Sequence, residues 1–299
     1  MNINSKYEYV IITPARNEEN FIEKTIISVI KQTILPQKWL IVDDNSIDRT
    51  SEIIKKYEKH YSFIQYMRNS KNDNRNFGSK IYAFNEGYKY LKNVKYSFIG
   101  NLDADISFDE DYFYLIIHKF LDNPKLGIAG GIVLESINGR FVKQINYENS
   151  VAGAVQLFRR RCYLDIGGYQ PLKYGGVDAV AEIKARKSGW EVKTFSDIFV
   201  YHNGRVGGKL TNILKTRFRQ GRKDYLIGYH PLFYLFSCLY RFHDKPVIIG
   251  SLLKLTGYFL FFLKKQKKSV SNDLIEYFTQ EQIWRLKKKL TNLKYLSHM

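Results

Sequence analysis

The sequence has few cysteines, few acidic residues relative to its basic ones, and no long uninterrupted apolar run. Its two cysteines, Cys162 and Cys238, provide neither a disulfide framework nor a zinc-ligand cluster. The first residues lack a basic stretch followed by an apolar core, so nothing there is typical of a secretory signal. No low-complexity tract or solenoid-length repeat occurs. These absences argue against disulfide-rich secreted, fibrous and repeat proteins and favour a globular protein of the reducing cytosol.

The shortage of acidic residues lies mainly in the last third of the chain. Of a formal net charge of +18, most comes from residues 206–299, which contain 18 Lys and Arg but only 5 Asp and Glu. The same region contains two apolar, aromatic segments, 225–240 and 247–263, and a lysine cluster at 264–268. The second segment has 17 residues and is interrupted by Lys254, which is at the short end of what a bilayer span requires.

We expect residues 206–299 to form a helical, basic and aromatic appendage that lies on the membrane surface. Its apolar side chains would enter the headgroup boundary while each lysine near anionic lipid contributes about 1 kcal/mol. This predicts a cytoplasmic protein held peripherally on the inner face of the cell membrane. A helical subdomain packed on the rest of the chain, a dimer interface and a hairpin through the bilayer remain alternatives. A nucleic-acid-binding protein is a weaker alternative, suggested by the high positive charge and the many tyrosines and phenylalanines. Because the basic residues lie beside apolar runs and no known RNA- or DNA-binding module is present, we expect no nucleic-acid partner.

Residues 1–205 alternate between strand-like apolar runs and segments with apolar residues at helical spacing. The runs are 9–12, 39–42, 63–67, 96–102 and 126–134. Helical spacing occurs between them, as in Phe21 to Ile30 and Ile81 to Leu91. This alternation predicts an α/β fold with a mostly parallel sheet covered by helices on both faces. We place a domain boundary near residue 205.

Carboxylates directly follow three of these runs. The pairs are Glu18 with Glu19, Asp43 with Asp44, and Asp103 with Asp105. Because the carboxyl ends of parallel strands meet at one edge of a sheet, where such folds bind ligands, we expect these groups to lie close together. Paired carboxylates can hold a hard divalent cation, and that cation can hold a diphosphate. The alternative is that the same acids cap helices or lie in solvated turns.

Four motifs in order resemble those of family 2 glycosyltransferases of the GT-A fold. They are Pro14–Glu19, Val42–Thr50, Asn76–Gly78 followed by Ala83–Gly87, and Asp103–Asp105, within a resemblance that covers about residues 8–202. The resemblance implies a catalytic domain over 1–205, with a nucleotide-sugar half at 1–105 and an acceptor half at 106–205. It also implies inverting transfer of a sugar from a nucleoside diphosphate sugar, with Mn²⁺ or Mg²⁺ stabilising the leaving diphosphate.

The resemblance assigns donor-binding roles to matching positions. The nucleotide-sugar residues it implies are Pro14, Ala15, Arg16, Glu18, Asp44, Asn76, Gly78, Lys80, Asp103 and Ala104. Within this set, Asp44 accepts a hydrogen bond from the base, which in the family is usually uracil. Gly78 permits a tight turn before a helix whose N-terminus favours phosphate, or else it serves chain geometry alone. Asp105, Asp103 and His202 are the implied metal ligands, and a structural role is the alternative for His202.

The acceptor side requires a base that takes the hydroxyl proton. Gly175–Glu182 resembles the family's acceptor-helix motif, but Val177 replaces the first acid, so we assign Asp178 as the base. Glu182, four residues on and on the same side of a helix, is the alternative base. The resemblance also implies that Tyr169 lies near the sugars, where its ring could stack on one.

The sequence leaves the acceptor open. We expect a hydroxyl of a glycan or of a lipid-linked acceptor in cell-surface polysaccharide or glycolipid synthesis. Polyprenyl phosphate as the acceptor is compatible with the basic, apolar appendage. A sugar nucleotidyltransferase is a weaker alternative, because the stretch Thr13–Glu19 lacks the glycine-rich, basic loop that such enzymes usually carry after their first strand.

Overall fold

A computed structural model describes residues 7–69, 78–91, 93–137, 140–143, 148–204, 210–242 and 247–296. The chain divides into two compact units. The first comprises Met1–Lys173 with Val177–Gly207, and the second comprises Tyr174–Gly176 with Gly208–Met299.

The first unit is an α/β structure, as the alternating pattern predicts. Its strands among the described residues are β1 (Tyr9–Ala15), β2 (Lys38–Asp43), β3 (Ile64–Arg68), β4 (Phe98–Asn101), β5 (Ile106–Phe108), β6 (Leu126–Ile137), β7 (Arg140–Lys143), β8 (Leu157–Arg159) and β9 (Glu191–His202). Its helices in the same ranges are α1 (Ile22–Ile30), α2 (Thr50–Glu58), α3 (Ser79–Lys89), α4 (Tyr112–Asp122), α5 (Arg160–Asp165) and α6 (Val177–Lys187).

The strands form one sheet in the order β3-β2-β1-β4-β8-β6-β9-β5, with β7 beside β6. The pairs among β1 to β4 are all parallel. In the second half, β6 pairs with β9 in parallel, whereas β5, β7 and β8 pair antiparallel with their neighbours. The parallel half therefore brings the carboxyl ends of β1, β2 and β4 to a single edge.

Helices cover both faces of the sheet, because alternate side chains of the buried strands point to opposite sides. Tyr9 and Ile11 of β1 belong to a buried cluster that also contains Ile22 of α1 and Phe113 of α4. On the opposite face, a Cβ atom at Gly87 of α3 would lie 2.9 Å from Val42 and 3.1 Å from Ile12, so this glycine allows α3 to pack closely on β1 and β2. Every residue of β1 is consequently buried.

The second unit contains four helices among its described residues, which are α7 (Leu210–Leu226), α8 (Pro231–Tyr240), α9 (Ile249–Leu263) and α10 (Asn272–Leu296). Glycines allow α7 and α9 to cross in close contact, because a Cβ atom at Gly221 would clash with the carbonyl of Lys254, and one at Gly257 with the carbonyl of Phe218. Aromatic side chains fill the core beside this crossing, with the Tyr234 and Tyr258 rings stacked 4.4 Å apart. The described residues of 206–299 are mainly helical, as predicted.

The outer surface of the second unit is unusually apolar for helices of this length. Large exposed side chains on α8, on α9 and just before α9 are Leu232, Phe236, Leu239, Tyr240, Val247, Ile248, Ile249, Leu252, Leu260, Phe262 and Leu263. Within the described ranges, no helix combines the length and the hydropathy needed to cross a bilayer.

Candidate active site

A cleft of about 240 Å³ lies at the carboxyl edge of the parallel half of the sheet. Its lining residues are Pro14, Ala15, Arg16, Glu18, Asp44, Ser79, Lys80, Asp103, Ala104 and Asp105. The register explains the convergence, since Ala15 at the end of β1 is paired with Asp43 at the end of β2, and Ile12 is paired with Asn101 at the end of β4. Eight of the ten nucleotide-sugar residues predicted from the sequence thus line one cleft. Of the other two, Gly78 directly precedes the lining residue Ser79, and Asn76 lies outside the described residues.

Asp43 and Asp44 are adjacent but face different surroundings. Asp43 is buried, where it accepts hydrogen bonds from the backbone N–H of Ser46 at 2.8 Å and the hydroxyl of Tyr66 at 2.9 Å, so it holds the loop after β2. Asp44 lines the cleft and accepts a hydrogen bond from Nδ2 of Asn69 at 3.0 Å. Asp44 is therefore the member of the pair that is fixed in direction and available to a ligand.

Asn69 is a site residue that the sequence reasoning missed. It directly follows β3, and its backbone N–H donates to the carbonyl of Asp43 at 2.8 Å while its side chain orients Asp44. The signal was present, because the rule that polar side chains collect after parallel strands also applies to the third strand. Only acidic residues were considered there.

Lys80 provides a cation at the edge of the cleft. It is the second residue of α3, and its Nζ donates to Oδ1 of Asp103. Gly78, directly before the helix, has φ −79°, which is ordinary right-handed backbone open to any residue. A turn that only glycine can adopt is therefore not the reason for Gly78, and the first turn of α3 places the ammonium group of Lys80 beside Asp103.

Glu18, Asp103 and Asp105 concentrate negative charge in the cleft. Burial, with the neighbouring charges of Asp105 and Asp103, raises the pKa of Glu18 to about 7. Burial also raises the pKa of Asp105 above its usual value, although the nearby His202 opposes this shift. Carboxylates that repel one another in a partly buried site favour a bound cation, because the cation removes the repulsion.

His202 lies beside Asp105 because β5 and the end of β9 are paired. Ile106, the residue after Asp105, is the register partner of His202. The Nε2 atom of His202 is 3.3 Å from Oδ2 of Asp105, while its Nδ1 atom is buried without a hydrogen-bond partner among the described residues. A Cβ atom at Gly204 would clash with Oδ2 of Asp105, so the absence of a side chain there keeps the space for this contact.

The donor set of Asp105 and His202 suits a divalent metal ion. Two ligands in neighbouring octahedral positions at about 2.1 Å from a metal are about 3 Å apart, which matches the separation of the two side chains. Mg²⁺ is commonly held by one or two carboxylates together with substrate phosphates. No group of three or more His, Cys, Asp or Glu side chains placed to hold a metal ion occurs in the part of the chain that the structure describes. The residues therefore fit an ion that is completed by the diphosphate.

The two candidate bases have different surroundings. Glu182 is almost fully buried and accepts hydrogen bonds from the backbone N–H of Val151 at 2.8 Å and from Nε2 of Gln156 at 3.1 Å. Burial, with the charge of Asp178, raises the pKa of Glu182 to about 8. Its carboxylate is directed at the 151–156 segment, and it is not among the residues that line the cleft.

Asp178 is half-buried in the first turn of α6 and packs against Gly153, where an added Cβ atom would lie 3.0 Å from Oδ2 of Asp178. The carbonyl of Gly153 accepts a hydrogen bond from Nδ2 of Asn101 at 2.5 Å, and that of Ala154 accepts one from the N–H of Asp103 at 2.9 Å. One short segment thus contacts both Asp178 and the cleft residues after β4. Like Glu182, Asp178 is not among the residues that line the cleft, but it is the less buried of the two acids.

The stacking of Tyr169 on a sugar is a wrong prediction. Tyr169 is only 5% exposed, and its ring packs edge-on against Phe84 and Phe158 at centroid distances of 5.1 and 5.3 Å. Its hydroxyl donates to Oε1 of Gln156 at 2.6 Å. The aromatic ring belongs to the core behind the 151–156 segment, because aromatic neighbours and one internal hydrogen bond satisfy it there.

Solved structures with the same fold are glycosyltransferases of the GT-A class. The mannosyltransferase PcManGT from Pyrobaculum calidifontis, solved with GDP-Man and Mn²⁺, matches 96% of this chain and 87% of its own, with a TM-score of 0.56 and 14% identity. S. aureus TarS 1–349, solved with UDP-GlcNAc, matches 84% of this chain and 71% of its own, with a TM-score of 0.53 and 15% identity. The GT-A fold predicted from the motifs is confirmed.

The sequence profile described as glycosyl transferase family 2 matches residues 10–170. The chain belongs to this family, as its four motifs predicted.

Curated relatives match about half of the chain. A poly-β-1,6-N-acetyl-D-glucosamine synthase from Staphylococcus aureus strain MSSA476 is 27% identical over 187 residues, which is 56% of this chain and 43% of the relative. The synthase of the same name from Staphylococcus epidermidis is 28% identical over 175 residues, or 50% of this chain and 39% of the relative. The alignments thus span less than half the length of these relatives.

Proposed function

We propose that this chain transfers a sugar, with inversion, from a nucleoside diphosphate sugar to a hydroxyl group of a glycan or lipid-linked acceptor in cell-surface polysaccharide or glycolipid synthesis. One observation carries the proposal. An acid held by a hydrogen bond (Asp44), a cation (Lys80) and an acid-imidazole pair (Asp105 with His202) lie around one edge of a GT-A sheet. Residues 1–105 contribute the donor half and residues 106–205 the acceptor half, in which His202 also completes the metal site.

On the donor side, the carboxylate of Asp44, oriented by Asn69, accepts a hydrogen bond from the base. Arg16, whose Nη1 is 3.8 Å from Asp44, and Lys80 supply positive charge for the diphosphate. When bound, Mn²⁺ or Mg²⁺ stabilises the negative charge of the leaving diphosphate as a Lewis acid. Asp105 and His202 would hold that ion, with Asp103, which contacts Lys80, as the third candidate ligand. A uridine nucleotide is the expected donor because the resemblance to the family favours uracil; TarS was solved with UDP-GlcNAc and PcManGT with GDP-Man, so these two structures do not choose between the bases.

On the acceptor side, Asp178 takes the proton of the attacking hydroxyl group. Glu182 acts as a positioning residue, because its hydrogen bonds to Val151 and Gln156 fix the segment that packs on Asp178. A lipid-linked acceptor is supported by the apolar and lysine-rich surface of the second unit, and the same surface keeps polyprenyl phosphate as the second candidate acceptor.

We also propose that the second unit places the enzyme peripherally on the inner face of the cell membrane. Its exposed apolar side chains on α8 and α9, among them Phe236 and Leu252, are followed by Lys264, Lys265, Lys267 and Lys268. Peripheral attachment of this kind combines insertion of apolar side chains into the headgroup boundary with contacts between lysines and anionic lipid. Sedimentation with phosphatidylglycerol vesicles tests it, and we expect Phe236→Glu with Leu252→Glu to abolish pelleting and high salt to reduce it. A protein that stays in the supernatant with those vesicles contradicts the attachment.

The transfer reaction is tested by incubating the purified chain with a panel of UDP-, GDP- and dTDP-sugars and Mn²⁺. We expect one donor to release its nucleoside diphosphate, in the presence of an acceptor or slowly to water, and Asp105→Asn to prevent this release. Glu110→Gln, which changes an exposed acid outside the cleft, is the matched control. Release of pyrophosphate from a nucleoside triphosphate and a sugar phosphate instead indicates a nucleotidyltransferase.

A further inference from the structure

The second unit contains a cavity of its own, here named the C-terminal pocket, with a volume of about 410 Å³. Aromatic side chains form much of its lining, which also includes two lysines. The residues that define its chemistry are Tyr225, Tyr229, Tyr258, Phe262, Lys265 and Lys268. This pocket is built from α7, α8, α9, α10 and the turn after α9, and none of its lining residues takes part in the proposed transfer reaction.

Hydrogen bonds hold the lysine-bearing turn in place. The hydroxyl of Tyr225 donates to the carbonyl of Gln266 at 2.9 Å, and the N–H of Ser269 donates to the carbonyl of Leu226 at 2.8 Å. Lys268 donates to the carbonyl of Tyr225 at 2.6 Å, with its Nζ 3.4 Å from the centre of the Tyr225 ring. The turn that carries both lysines and the side chain of Lys268 are therefore held in place by the second unit itself.

Among the described residues, no carboxylate neutralises the two lysines of the pocket. Neither Lys265 nor Lys268 forms an ion pair with a carboxylate in the described part of the chain. Burial lowers the pKa of Lys268 to about 8, because the charged ammonium group is less stable when it is half-buried without a counter-charge. The side chain of His230, also in the lining, has a buried Nδ1 atom without a hydrogen-bond partner among the described residues. An anion would supply the missing counter-charge for the two lysines.

The aromatic lining of the pocket favours an anion that carries a hydrocarbon chain over a free inorganic anion. A free inorganic anion would gain nothing from the rings of Tyr229, Tyr258 and Phe262 and would lose hydration against them. A phosphate group attached to a hydrocarbon chain satisfies both parts of the site, with the anion on the lysines and the first carbons of the chain against the rings. Phe262 is both in the lining and 42% exposed, and Leu263 beside it is 75% exposed, so the apolar surface continues from the pocket to the outside.

We propose that the C-terminal pocket binds the phosphate group of a lipid, with Lys265 and Lys268 on the phosphate and the aromatic walls on the start of the lipid chain. This site is independent of the donor cleft, and binding there does not require sugar transfer. It differs from general attachment of a basic surface to anionic membranes, because it requires one pocket, one phosphate group and a chain together.

Calorimetry with the full chain and dodecyl phosphate below its micelle concentration tests the proposal. Inorganic phosphate serves as the ligand without a chain, and dodecyl maltoside as the chain without phosphate. We expect measurable binding of dodecyl phosphate and at least about 10-fold weaker binding of both controls, since a hydrogen bond to a charged group and the apolar contact each contribute on this scale. Equally tight binding of inorganic phosphate would show a simple anion site, and equally tight binding of dodecyl maltoside a simple apolar one; either result overturns the proposal.

Two lysines in the same turn provide a charge-matched comparison. Lys265 lines the pocket, whereas the exposed Lys267 does not. We expect Lys265→Glu to weaken dodecyl phosphate binding at least about 10-fold and Lys267→Glu to change it less than about 2-fold. Equal losses in the two variants would indicate a diffuse basic surface and contradict the pocket.

A third variant blocks the cavity without removing charge. Thr279 of α10 lines the pocket and is half-buried, so Thr279→Trp fills the space while both lysines remain. We expect loss of dodecyl phosphate binding with an unchanged circular dichroism spectrum. Unchanged binding in a folded Thr279→Trp protein would place the ligand elsewhere. If that variant does not fold, the comparison of the two exposed lysines decides the question by itself.

Discussion

Nε2 of His202 lies 3.3 Å from Oδ2 of Asp105, although the two residues are far apart in the sequence of the first unit. The antiparallel pairing of β5 with the end of β9 produces this contact, because it aligns Ile106 with His202. Asp105 follows the parallel half of the sheet, while His202 ends a strand of the mixed half. Both halves of the sheet therefore contribute a side chain to the metal site that we propose.

Removal of either member of this pair should abolish metal-dependent activity. We expect Asp105→Asn and His202→Ala each to lower nucleoside diphosphate release at least about 100-fold, which corresponds to about 2.7 kcal/mol. Calorimetric titration of Mn²⁺ into protein with UDP should show the same loss of affinity. Glu110→Gln should retain full Mn²⁺ binding. Wild-type Mn²⁺ affinity in both variants would exclude the pair as ligands.

Gly204 should affect the metal although it has no side chain to donate. In Gly204→Ala, the new methyl group would displace the carboxylate of Asp105, and we expect Mn²⁺ affinity to fall about 10-fold, as for changes that misorient a ligand. A double-mutant cycle checks the cause. The substitution should have no further effect in an Asp105→Asn background, and an equal loss in both backgrounds would mean that it acts through folding.

The parallel half of the site was predictable because its geometry depends on sequence-local rules. An apolar run followed directly by acids identifies a strand end, and parallel pairing brings Asp44 and Asp103 to one edge without further information. The same rule would have found Asn69, had polar residues other than acids been considered. Residue type alone suggests a turn role for Gly78, but its φ of −79° is a backbone angle that any residue can adopt.

The other half of the site was less predictable because it depends on packing. Tyr169 and Glu182 occur in motif-like positions, yet both side chains lie behind the 151–156 segment, where Gln156 accepts from one and donates to the other. No periodicity in the sequence indicates which side chains a loop will cover. His202 was reached only through the family resemblance, because its neighbour Asp105 is distant in sequence and the antiparallel register that joins them has no local signal.

Substitutions of the two acids of α6, Asp178 and Glu182, should have different effects on kcat. We expect Asp178→Asn to lower kcat at least about 100-fold with little change in the affinity for the donor, because a general base contributes in the transition state. Glu182→Gln should keep kcat within about 10-fold, since the amide oxygen can still accept from Val151. The assay follows nucleoside diphosphate release with the acceptor or with water. Full activity in Asp178→Asn and loss in Glu182→Gln would reverse the assignment.

Glu182 should also make the stability of the protein depend on pH. Burial raises its pKa in the folded state to about 8, from an ordinary value of 4.5. Between these values the folded state keeps a proton that the unfolded state has lost. Unfolding then becomes easier as pH rises, by at most about 1.4 kcal/mol per pH unit, and the contribution levels off above about pH 8.

The Glu182→Gln variant lacks this titration, so the comparison isolates it. We expect the variant to gain stability relative to the wild type as pH rises from about 5 to about 8, and the difference to be constant at higher pH. Urea unfolding followed by circular dichroism at several pH values measures the difference, and Glu110→Gln corrects for the loss of one acid at the surface. A constant difference between the Glu182→Gln and wild-type curves throughout this range would show that Glu182 is already ionised in the folded protein, with its charge satisfied by Val151, Gln156 and Arg186.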